Sequence, residues 1–105
     1  VTLAALTGCH AHYVAMDVHN NTGKPITLLE VDYPSASFGA DALAAGATFN
    51  YRFKILGDGP TKLLWTDANQ QEHTVAGPSL QEGQEGTLTA IITPTTATWT
   101  AHLKP

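Results

Sequence analysis

The chain has 105 residues, of which 43% are hydrophobic and 13% charged, with a net charge of −4 and a single cysteine. That length bounds it to one domain with a modest core, and the hydrophobic content excludes a disordered chain. The acidic balance excludes a basic surface for nucleic acid, one cysteine excludes an intrachain disulfide or a CxxC metal site, and no stretch approaches the ~20 apolar residues of a membrane-spanning helix.

The first element in chain order is residues 1–8, an uncharged apolar run that ends in small residues. Such a run is the back half of a secretory signal peptide; the basic segment that opens a full one is not in it, so residues 1–8 read as a residual signal peptide, truncated at its start. Leu6-Thr7-Gly8-Cys9 resembles the lipobox of bacterial lipoproteins. The resemblance implies that the Cys9 thiol is the lipid attachment point, that residues 1–8 are removed and that residues 9–12 are a lipidated tether. It also implies a bacterial cell-envelope location, with the protein anchored to a membrane and facing the periplasm or the exterior. His10, where an Asp would favour the inner membrane, points to the outer membrane in a host that has one. The competing reading makes residues 1–8 an ordinary strand or frayed terminus and Cys9 a buried thiol.

From His12 onward the hydrophobic pattern has period two, the signature of strands, and residues 13–105 form the domain. Val14, Met16 and Val18 share one face of the first strand. Asn20-Asn21-Thr22-Gly23-Lys24-Pro25 is dense turn chemistry. Residues 26–33 are the second strand, with Leu29, Val31 and Tyr33 opposite Glu30 and Asp32. Leu28 falls on the polar side, which predicts a bulge or cover on both faces, and Pro34 ends the strand because it has no N–H to donate. Residues 38–48 read as a crossover loop with a short strand at 37–39, since Asp41-Ala42-Leu43-Ala44-Ala45 allows one helical turn between Gly39 and Gly46.

Residues 49–55 give the clearest alternation, with Phe49, Tyr51, Phe53 and Ile55 on the core face and Asn50, Arg52 and Lys54 on the other. Gly57-Asp58-Gly59-Pro60 is a turn, residues 62–66 and 72–76 form a hairpin through Asp67-Ala68-Asn69-Gln70, and residues 78–86 are a polar loop. Leu88, Ala90 and Ile92 mark the next strand. Pro94-Thr95-Thr96 turns it into the last one, where Trp99, Ala101 and Leu103 alternate with Thr98, Thr100 and His102.

About seven strands separated by turns predict an all-β fold, an immunoglobulin-like antiparallel β-sandwich, because each strand has one apolar face that a second sheet must cover. The Cys-Trp-Cys core of antibody domains is absent. Asn20, Asn21, Thr22, Gly23 and Ile26, followed by Leu43, Gly46 and Tyr51, resemble two elements of small bacterial immunoglobulin-like domains such as the FxLYD type, although the F-x-L-Y-D signature is not in the chain. That resemblance covers about a third of the sequence and implies an accessory or binding module.

Signals for chemistry are sparse. None of Ser35, Ser37 and Ser79 sits in a G-x-S-x-G turn, and adjacent Cys9 and His10 point to opposite faces of an extended chain. Glu30 and Asp32 share a strand face, a place where two carboxylates hold a cation or share a proton, and more often simply meet solvent. His10 and His12 fall on one face and join His102 if the first and last strands are neighbours. Three imidazoles are the beginning of a copper or zinc site, although no fourth ligand is evident. His19 and His73 sit near turns. The aromatics around residues 33–39, with Trp65 and Trp99, line a groove or fill the core. Asn20-Asn21-Thr22 matches a glycosylation sequon, which a bacterial lipobox makes meaningless. The leading expectation is a lipid-anchored envelope domain that binds or scaffolds without catalysis, with the membrane and an envelope protein as partners and no nucleic acid. The alternatives are an envelope metal-binding protein using His10, His12 and His102, and a small hydrolase.

Overall fold

The computed structural model describes residues 12–105, and over that span every regular element is a strand. In chain order these are β1 (Val14–Asn20), β2 (Ile26–Tyr33), β3 (Ala36–Leu43), β4 (Thr48–Phe53), β5 (Gly59–Thr66), β6 (Glu72–Leu80), β7 (Glu85–Ile92) and β8 (Ala97–Lys104). They form two four-stranded sheets, ordered β4-β1-β7-β8 and β3-β2-β5-β6. The two sheets pack as a β-sandwich, the fold class expected. Alternation is the cause: Val14, Met16 and Val18 of β1, Leu88, Ala90 and Ile92 of β7, and Leu63 and Trp65 of β5 are buried between the sheets, while Ala15, Asp17 and Lys62 face outward. At about 25 cal/mol per Å² of apolar surface removed from water, this shared core is the main stabilising term.

Several expectations are corrected. The stretch read as a crossover loop is the eight-residue strand β3, because residues 36–43 pair along the whole of β2, from Tyr33 opposite Ala36 to Ile26 opposite Leu43. The inter-strand ladder overrides the helical preference of the alanines there. Residues 78–80 extend β6, so the polar loop begins only at Gln81. Gly59 and Pro60 open β5 instead of completing a turn. Among the described residues the strands number eight, and one pairing, β1 with β7, is parallel. Leu28 does mark a bulge: the β2–β5 register shifts between Thr27 and Glu30, and Leu28 adopts φ +52° with its side chain 66% exposed. Gly39 sits against this irregularity, where a Cβ would collide with the Leu29 carbonyl.

The Asn-Asn-Thr-Gly turn and the Leu43–Gly46 segment meet. Asn20 is fully buried. Its amide donates to the carbonyls of Lys24, Leu43 and Ala44, and its Oδ1 accepts from the Thr22 N–H and hydroxyl. The Gly46 N–H donates to the Asn20 carbonyl. A buried amide needs all its partners, so the sequon asparagine is a structural pin and is closed to glycosylation.

Candidate functional site

A sandwich of two open sheets has two long sides where no strand bridges the layers. On one of them β3 lies across from β4, and five aromatic rings converge. Phe38 projects inward from β3, Phe49, Tyr51 and Phe53 from β4, and Tyr33 from the end of β2. Phe38 and Tyr51 stack at 4.1 Å with an interplanar angle of 16°, Tyr33 lies 4.4 Å from Phe53, and Phe38 lies 5.3 Å from Phe53. Phe49 joins the outer end, 6.2 Å from Phe38 and 6.3 Å from Tyr51. The wider separations fall in the favourable range for ring pairs, and the Phe38–Tyr51 and Tyr33–Phe53 pairs are closer still. Phe38 and Phe53 are buried, Tyr33 and Phe49 half-buried, and Tyr51 is 43% exposed. Burial, followed by the neighbouring Tyr51, raises the Tyr33 phenol above its ordinary range.

Two features flank the rings. On the outward face of the β4/β1 pair the exposed Tyr13 ring carries the Arg52 guanidinium at 4.4 Å and the Lys54 ammonium at 5.3 Å, within cation–π distance. Beside β3 an open groove of about 560 Å³ runs over the Leu28 bulge, lined by Leu28, Glu30, Ser37, Phe38, Gly39 and Asp41 among others. A hydrogen bond with Asp32, and then the Asp32 charge, raise the Glu30 carboxyl above its usual range.

The structure distributes the remaining expected site residues. Cys9 and His10 lie outside the described residues. His12 sits 3.6 Å from the Glu85 carboxylate. His102 of β8 is opposite Thr87 of β7, and β7 separates β8 from β1, so the first and last strands are not neighbours as expected. Among the described residues no group of three or more His, Cys, Asp and Glu is placed to hold a metal ion. His19 Nδ1 bonds the Thr48 hydroxyl at 2.8 Å. His73 stacks on Trp65 at 4.9 Å and bonds Asp67 at 2.7 Å. Trp65 is core and Trp99 is half-buried; each buries its indole N–H without an acceptor among the described residues.

Sequence reasoning assigned Phe49, Tyr51 and Phe53 to the core as a set. Their shared face is right, with Phe53 buried and Asn50 and Arg52 exposed, but Tyr51 is exposed because β4 is the outermost strand of its sheet. Strand order, which alternation does not encode, turns this aromatic face into a surface. The signal in the sequence was the spacing alone, three alternate aromatics on one short strand. No family model, curated protein or solved structure matches the chain.

Proposed function

We propose that this domain is the globular part of a lipid-anchored protein of the bacterial cell envelope, and that it works by binding, without catalysis, through the aromatic β3/β4 side. The observation that carries the reading is Tyr51: a large ring 43% exposed, held stacked on Phe38 at the mouth of a five-ring cluster. A rigid aromatic at a water-accessible rim presents contact area at little entropic cost, and such residues dominate binding surfaces. The anchor at Cys9 comes from the lipobox resemblance, and the first buried core residue among those described is Val14. Two or more acyl chains hold a protein on a membrane stably where one does not.

Both parts are testable in one preparation. Intact-mass measurement of protein extracted from membranes should find lipid on Cys9 and residues 1–8 gone; an unmodified Cys9 with residues 1–8 retained rejects the anchor. Tyrosine nitration should modify Tyr51 readily in the purified full chain and markedly less in intact envelopes, where the partner covers it. Equal modification in both rejects the aromatic side as the working surface.

A further inference from the structure

The four outermost strands of the two sheets, β3, β4, β6 and β8, differ in how they are protected. Natural sheets blunt their edges with Pro, Lys, charge or shortness, because a bare edge pairs with any extended chain. β6 carries Pro78, which has no N–H, opposite the register shift between Pro60 and Lys62. β4 is six residues long and bears Arg52; β8 bears His102 and ends in Lys104. β3 has eight residues, no Pro, no Lys and one charge, Asp41, and its remaining side chains apart from Phe38 and Leu43 are Ala, Ser and Gly. β2 pairs with it on one side, and among the described residues no strand lies on the other.

We propose that the free edge of β3 accepts an extended strand from a partner protein, one whose side chains alternate between apolar and basic. The inference rests on the β3/β4 side being the working surface and names what that side takes. A strand added to β3 directs every second side chain toward the Phe38 and Tyr51 rings, where apolar residues are favoured. The intervening side chains lie over the groove that Glu30 and Asp41 line, where Lys or Arg matches the charge. The same charges argue against a second copy of this chain. Pairing β3 with β3 brings the Glu30 and Asp41 carboxylates of both copies to one surface, and like charges facing one another across strands are destabilising.

The test uses the full chain made soluble by Cys9→Ser and three ten-residue synthetic peptides. One alternates Lys with Val and Phe, one carries Glu in place of every Lys, and one is the Lys peptide N-methylated at alternate residues, which blocks backbone pairing and leaves the side chains. The Lys peptide should slow hydrogen exchange of β3 amides and leave β8 amides unchanged, and it should bind at least about ten-fold tighter than the Glu peptide, as several charge contacts of one sign predict. N-methylation should abolish binding, and Asp41→Lys, at an exposed position, should weaken the Lys peptide and strengthen the Glu peptide. Unprotected β3 amides, equal binding of the N-methylated peptide, or β3 protection that appears with protein concentration alone overturns the proposal. If Tyr51 is shielded in envelopes while the Lys peptide fails to bind, the working surface stands and the strand partner falls.

Discussion

On the β6/β8 side of the sandwich the Trp99 ring lies against Gly77, where a Cβ would sit 2.6 Å from the indole and would also strike the Thr61 hydroxyl. That hydroxyl in turn donates to the Pro78 carbonyl at 2.7 Å. On the β3/β4 side five rings fill the same kind of gap, and the outermost, Tyr51, remains 43% exposed. One side is sealed by a single large ring fitted to a missing side chain. The other is filled to excess and left open at its mouth. The two sides therefore close the same kind of gap differently, one with a ring seated on a glycine and the other with a ring cluster that leaves Tyr51 accessible.

The comparison is broken most severely at Phe53, which is 4% exposed and contacts both Tyr33 and Phe38. Phe53→Ala should cost about 3–5 kcal/mol in denaturant unfolding. A loss under about 1 kcal/mol means that the aromatic side is superficial and not part of the core. Gly77→Ala probes the sealed side. Overpacking there should cost about 1–3 kcal/mol, and a neutral result means that Trp99 moves freely and the two sides are alike.

A smaller effect separates the sides by pH. Asp67, in the hairpin between β5 and β6, is held below the usual carboxylate range, first by its hydrogen bond to His73 and then by the Gln71 N–H. A depressed carboxyl contributes stability above its unfolded pKa that is lost as pH falls through its folded one. Tyr33 is raised, so its contribution is complete below the unfolded phenol pKa and is lost as pH rises through the folded one. Asp67→Asn should therefore flatten the acid limb of a stability–pH curve and Tyr33→Phe the alkaline limb. If either substitution alters the opposite limb instead, the assignment of cause fails.

How much of this the sequence announced depends on what alternation encodes. Val14, Met16 and Val18, or Leu88, Ala90 and Ile92, declare their buried face locally, and the exposed Leu28 declares a bulge by breaking the pattern. β3 was hidden because Ala40, Asp41 and Ala42 have no strand preference of their own; their state is set by the ladder with β2, in which Ala40 lies opposite Leu29 and Ala42 opposite Thr27. The aromatic residues of the candidate site were readable singly, at 33, 38, 49, 51 and 53. Their convergence was not, because it follows from β3 and β4 being the outer strands on the same side. The turn pin at Asn20 was visible only as turn chemistry, since its carbonyl partners at Leu43 and Ala44 are remote in sequence.

The parallel pairing of β1 with β7 places residue 14 beside residue 86 and residue 20 beside residue 92. β1 is also an inner strand, flanked by β4 and β7. The sheet containing it therefore stays incomplete until β7 and β8 have been made, after all the other strands described. Contacts between such remote segments close slowly, on the millisecond-to-second scale of β-rich domains. A chain emerging amino-terminus first therefore has every strand of the β3-β2-β5-β6 sheet in hand before β1 can meet β7, so the two layers have different earliest times of completion.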